Sequence, residues 1–260
     1  MNIYIMADIE GISGIYSPEQ VVPGKSRFSE GRLYATEDVN VCVDACKEAG
    51  ADKIFVRDCH GGSYTLIWDK LSSNADYYLC GESANRFPEI EECDGVILLG
   101  YHAMAGTLGG TLEHTMSSAT VQNYYVNGKA IGEFALDAGM VGEMGKPVIM
   151  TSGDDKLCNE AKQFSPDTVT AQVKCGMSSF GAMLLPREKA HKILHDKTLQ
   201  AVKNLKNIKP LVFDGPVEFT VELTERTSLP NIYKNPDIKI INGRTYSVTG
   251  QTLTEAFSKI

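Results

Sequence analysis

Residues 95–100, GVILLG, carry no polar side chain, and they run straight into Tyr101 and His102. A strand with one wet face alternates apolar and polar residues. An unbroken apolar run of this length instead fits a strand covered on both faces, as in a parallel sheet between two layers. NIYIMA (2–7), KIFVR (53–57), YYLCG (77–81) and PVIMTSG (147–153) read as further strands. Between the first two, SEGRLYATEDVNVCVDACKEAG (29–50) sets Leu33, Thr36, Val39, Val43 and Cys46 on one helical face and stops at Gly50. YYVNGKAIG (124–132) reads as a hairpin turning at Asn127-Gly128, and EFALDAGMVGEMG (133–145) as a helix. The expected class is α/β, with a mostly parallel central sheet flanked by helices.

Past about residue 165 the texture changes. TVTAQVKC (168–175) reads as a strand, and residues 187–207 form a long amphipathic helix with Ile193, Leu194, Thr198, Ala201 and Leu205 on its apolar stripe. VEFTVELT (217–224) alternates strictly, KIINGRTYSVTG (239–250) carries a second Asn-Gly turn, and TLTEAFSKI (252–260) closes with a short helix. This predicts two parts: an α/β domain over 1–165 and a smaller C-terminal α+β subdomain over 166–260, packed on the first.

Composition removes several function classes. The 260 residues carry a formal net charge of −8 with no basic run, so nucleic acid and anionic membrane are excluded as expected partners. No apolar stretch is long enough to cross a bilayer, and the N-terminus, with acids at 8 and 10, reads as neither a signal nor a transit peptide. Seven cysteines, none spaced C-x-x-C, read as reduced thiols, and a cytoplasmic location is expected.

In open α/β sheets, ligands sit beyond the carboxyl ends of the strands. The expected strand ends there deliver Asp8 and Glu10, then Asp58 and His60 in DCHGG, then His102 in YHAMAG. The hairpin delivers Glu133, the loop GGTLEHTMSS carries His114, and PVIMTSG leads to Asp154 and Asp155. Residues two apart on an extended segment point the same way, so Asp8 and Glu10 can face one point. Carboxylates mixed with imidazoles, without thiolates, suit zinc or a similar divalent ion in a hydrolytic site. Asp8, Glu10 and Glu133 supply three negative charges, which two divalent ions and a bridging hydroxide would neutralise.

ADIEGISG, DCHGG, LLGYHAMAG, EHTMSS and GEFALDAG occur in this order along nearly the whole chain. Together they resemble the zinc-dependent D-aminopeptidases of bacterial dipeptide-transport operons. The resemblance implies two zinc ions per subunit, with Asp8 as the bridging carboxylate, Glu10 and His60 completing one metal, and His102 and Glu133 the other. It implies His114 as the catalytic histidine, either the nucleophile or a carrier of protons that stabilises the tetrahedral intermediate, and a ring-like homodecamer that encloses short-peptide hydrolysis. Cys59 departs from the family's serine, and an extended segment points it away from its neighbours.

His191 and His195, among Lys and Glu on the long helix, read as solvated. Asp58 reads as an orienter of a ligand histidine, and Asp154 and Asp155 as a helix N-terminus. Two other functions compete. A different two-metal amidohydrolase or phosphoesterase would use the same cluster, although phosphate chemistry calls for more cations than Arg57 and Arg86. A non-catalytic, metal-stabilised ring scaffold would hold metal and cleave nothing.

Overall fold

A computed structural model describes residues 1–62, 64–226, 229–233 and 235–260. Its strands are β1 (Asn2–Ala7), β2 (Lys53–Asp58), β3 (Tyr77–Leu79), β4 (Gly95–Leu99), β5 (Val121–Val126), β6 (Lys129–Ile131), β7 (Val148–Gly153), β8 (Val169–Gln172), β9 (Lys174–Ser178), β10 (Gly181–Leu184), β11 (Val217–Leu223), β12 (Lys239–Asn242) and β13 (Thr245–Gly250). The helices are α1 (Pro18–Val21), α2 (Phe28–Glu48), α3 (Glu133–Glu143), α4 (Asp155–Phe164), α5 (Arg187–Asn204) and α6 (Leu253–Phe257).

Six strands pair in the order β3-β2-β1-β4-β7-β8, all parallel. The chain winds outward from β1 in one direction and then from β4 in the other, so the order reverses between these two central strands. A crevice opens at such a switch point because the loops leave toward opposite sides. The sheet is buried on both faces, as GVILLG requires. Ile3, Ile5, Ala7, Ile97 and Leu99 pack with Val39, Val43, Leu194 and Ala201 of α2 and α5. Tyr4, Met6, Val96 and Leu98 face a second core containing Phe134, Ala138 and Val141 of α3 and Val217, Phe219 and Val221 of β11.

The second core is floored by a five-stranded antiparallel sheet, ordered β12-β13-β11-β5-β6. It recruits β5 and β6 from before residue 165 and β11, β12 and β13 from after it, while β8 completes the parallel sheet. The sheets therefore do not divide the chain at residue 165. Alternation shows that a strand has one buried face but does not say which strand it joins. The hairpin turn at Asn127-Gly128 is present, both residues having positive φ. TVTAQVKC is interrupted rather than continuous: β8 ends at Gln172, and β9 turns into an antiparallel hairpin with β10. No helix among the described residues is long and apolar enough to cross a membrane.

The loops after β1 and β4 touch. Asp8 N–H donates to Leu99 O and Gly11 N–H to Gly100 O. A Cβ at Gly11 would lie 1.8 Å from Tyr101 O, and one at Gly100, where φ is +72°, would lie 2.5 Å from Asp8 O. Glycine at both positions lets the two loops close on each other.

Candidate metal centre

Parallel pairing sets Ala7 opposite both Asp58 and Leu99, so the chains leaving β1, β2 and β4 begin level. Asp8 and Glu10 follow β1, His60 follows β2, and His102 follows β4. Glu133 opens α3, carried there by β6, and His114 comes from the loop between β4 and β5. Donor atoms of Asp8, Glu10 and His60 lie within 4.8 Å of one another, as do those of His102, His114 and Glu133. The two groups meet where His102 Nε2 lies 3.6 Å from Asp8 Oδ2. All six residues singled out from the sequence therefore converge.

Within the first group, Glu10 Oε1 lies 3.3 Å from His60 Nε2. In the second, Glu133 Oε1 lies 3.3 Å from His102 Nε2, 3.7 Å from His114 Nε2, and accepts Met116 N–H at 2.7 Å. The His102 and His114 rings stack with centroids 4.0 Å apart. His102 Nδ1 faces Ala103 O and His114 Nδ1 faces Leu112 O, both at 3.0 Å. In the neutral form of each ring, a protonated Nδ1 leaves Nε2 bare toward the cluster. Among the described residues, His102 Nε2 and Glu10 Oε2 are buried and have no hydrogen-bond partner of proper geometry. Buried polar atoms are normally satisfied, so these two orphans, in an all-oxygen and imidazole donor set, fit divalent metal ions.

The charges press hard on one another. Burial opposes charge on every group, yet Glu10 and Asp8 beside His60 push it up to about 9, and Glu133 and Asp8 raise His102 well above its ordinary value. His102 and His114 bring Glu133 down to about 2, against its burial. Burial and the neighbouring Glu10 charge raise Asp8 far above the usual carboxylate range. His114 goes the other way, lowered by burial and by His102. A cluster that binds protons this strongly at its imidazoles would bind a divalent cation by the same attraction.

Asp58 stands back from the donors. Its carboxylate accepts Thr65 and Leu66 N–H, at 2.8 and 3.1 Å, and so fixes the turn behind His60. Asp154 caps α4 through Lys156 and Leu157 N–H, and its other oxygen accepts Thr111 N–H at 2.8 Å, holding the loop that carries His114. Leu112 and Met116, either side of His114, have φ of 54° and 60°, a local strain that the surrounding bonds sustain. His191 departs from its reading as solvated: its Nε2 lies 3.2 Å from Oδ1 of the buried Asp38. His195 stays near the surface against Glu48.

Two features of the site were only weakly marked in the sequence. Lys174 is fully buried, and its Nζ donates to Glu10 O, Ile12 O and Ile15 O at 2.6, 2.9 and 2.7 Å. It clamps the loop that presents Glu10, and burial brings its ammonium down to about 8. The only hint was a lysine at the end of an apolar run. Arg86 grips Asp137, one helical turn beyond Glu133, with Nε–Oδ1 at 2.6 Å and Nη2–Oδ2 at 2.9 Å.

The family model described as D-aminopeptidase matches residues 1–260. The D-aminopeptidase of Bacillus subtilis (strain 168) is 35% identical over 215 residues, 81% of this chain and 77% of that protein. The chain is also similar to a solved structure described as Zn-dependent D-aminopeptidase DppA from Bacillus subtilis, a self-compartmentalizing protease. That likeness has a TM-score of 0.92 at 30% identity, over 100% of this chain and 95% of the other.

Proposed function

The chain belongs to the D-aminopeptidase family, and from that membership we propose that it removes N-terminal D-residues from short peptides and amides with two zinc ions per subunit. It is a metallopeptidase, which sets aside the phosphoesterase and the inert scaffold. The observation that carries the metal reading is the pair of abutting donor groups with two orphaned buried atoms, Glu10 Oε2 and His102 Nε2.

Glu10 and His60 would hold one ion, His102 and Glu133 the other, and Asp8, reaching from the first group toward His102, would be shared. When bound, such a pair supplies Lewis-acid polarisation of a carbonyl and a hydroxide at neutral pH. The chain's own residues do the rest. Lys174 and the Gly11–Gly100 contact hold Glu10 and Asp8 in place. His114, neutral at pH 7 because burial and His102 lower it, offers a bare Nε2 that takes up a proton and returns it to the leaving amine.

A second reading of His114 has its own observation, since its donor atom groups with those of His102 and Glu133. His114→Ala separates the two. A proton carrier predicts unchanged zinc content and a loss of about 10²–10⁴-fold in kcat; a ligand predicts the loss of one zinc. The function itself is tested by zinc analysis with a panel of D- and L-aminoacyl peptides and amides. Two zinc ions per chain and cleavage of the D-series are expected. Absence of stoichiometric zinc, or of any cleavage, would overturn the reading.

We further propose a ring-like homodecamer in the cytoplasm. Support comes from apolar side chains left exposed on the β9–β10 hairpin, Met177, Phe180 and Met183 among them, and from seven cysteines that are all free thiols. Sedimentation should give a mass ten times that of the chain.

A further inference from the structure

The donor groups border two hollows of unlike chemistry. One, of about 650 Å³, is lined by Pro18, Val21, Val22, Leu112 and Phe180, with Glu10 and Glu113 as its acids. The other, of about 310 Å³, is lined by Asp8, His60, His114 and Glu133 together with Arg86. Among the described residues, Arg86 is the one Lys or Arg bordering either hollow.

An arginine needed only as a structural tie has no reason to stand in a cavity beside metal donors. Arg86 is tied on one side alone. Nε and Nη2 fork onto Asp137, which is fully buried and also accepts the Tyr101 hydroxyl at 2.7 Å. Nη2 also lies 3.8 Å from Met116 Sδ, while Nη1 donates to no described residue. The fork fixes the plane of the guanidinium, so a donor is held ready for an anion without further loss of freedom.

We propose that Arg86 receives the C-terminal carboxylate of a dipeptide substrate, which makes dipeptides with a free carboxylate the favoured substrate class. The spacing supports it. Asp137 lies one helical turn beyond Glu133, roughly 5–6 Å along the helix face. The carboxylate carbon of a dipeptide lies three bonds beyond the scissile carbonyl carbon, about 4 Å away, and a hydrogen bond adds about 2.9 Å. Arg86 lines the same hollow as Asp8, His60, His114 and Glu133, so the carboxylate of a dipeptide whose scissile bond sits at the donors falls on the scale of that hollow. The apolar hollow also carries two acids but, among its described residues, no Lys or Arg to receive a carboxylate.

This proposal rests on the peptidase reading, and its test is built to fail separately. Wild-type zinc-loaded enzyme is assayed on D-alanyl-glycine and on the C-terminal amide of the same dipeptide. The acid should be cleaved with a kcat/KM about 10–100-fold higher, expressed in KM, as a charge-assisted hydrogen bond gives. In Arg86→Lys, which keeps a cation beside Asp137, the acid should lose about that factor while the amide stays within about threefold. Equal efficiency on acid and amide in the wild type overturns the proposal and leaves the peptidase reading standing. So does an equal loss on both substrates in the variant, since a structural or oxyanion role would produce it. If the variant does not fold, the wild-type comparison decides alone. Cleavage of neither substrate by the wild type would overturn both readings.

Discussion

The two donor groups differ in how they are built, although they lie against each other. Asp8, Glu10 and His60 come from the ends of two neighbouring strands in one sheet, whose register alone brings them level. His102, His114 and Glu133 come from a strand end, a strained loop and a helix start, and the helix is placed by an antiparallel hairpin in the other sheet. The first group is thus a product of pairing, and the second a product of packing between layers. Backbone pairing is set by regular hydrogen bonds, whereas inter-layer placement depends on the fit of a core and on side chains that reach across it.

The largest test of this difference removes the residue that joins the groups. On the proposed two-zinc reading, Asp8→Ala should empty both sites and lower kcat/KM by about 10³-fold or more, since several kcal/mol of barrier lowering would depend on the metals. Glu10→Ala should cost one zinc and leave the other in place. Elemental analysis of both variants checks the contrast.

A smaller effect should separate the groups through their supports. Lys174→Met frees the loop bearing Glu10, and Asp154→Ala frees the loop bearing His114. Each should weaken the affinity of its own group by about 10–100-fold and leave the other group little changed, as outer supports of ligands generally do. Stepwise zinc titration distinguishes that pattern from a uniform weakening, which would mean that the two groups are not independently supported.

The gentlest probe is pH. His60 is pushed up to about 9 and His102 lies well above its ordinary value, so both imidazoles are protonated near neutrality before metal enters. Zinc must displace those protons. Apparent affinity should therefore rise with pH, by up to about tenfold per unit for each proton displaced, and for the first group level off above about 9. His114, held below its ordinary value, should release none. Calorimetry in buffers of different ionisation heat counts the protons.

The strand ends were legible because each polar donor follows an apolar run and sits beside glycine, a pattern local to a few residues. Asp8, Glu10, His60, His102 and Glu133 lie near such strand ends, whereas His114, between Glu113 and Thr115, was singled out by the family resemblance. Lys174 could not be read the same way, because its partners at Glu10, Ile12 and Ile15 lie 159 to 164 residues away in the chain. Arg86 was visible as a charge but not as a member of the cavity, since Asp137 and Tyr101 meet it only after α3 docks. His191 looked solvated on its own helix and is drawn inward by Asp38 of α2. Nor could alternation in VEFTVELT reveal that β11 would pair with β5 from the first half of the chain.

The sequence by itself determined the doubly covered parallel sheet and, with the family resemblance, pointed to the six side chains that converge, because burial pattern and residue type are properties of short segments. Tertiary structure alone decided that the donors form two abutting groups, that a buried ammonium clamps one loop, and that a guanidinium faces the cavity. Each of those depends on the separation of atoms far apart in the chain, and such separations are fixed only when the layers pack.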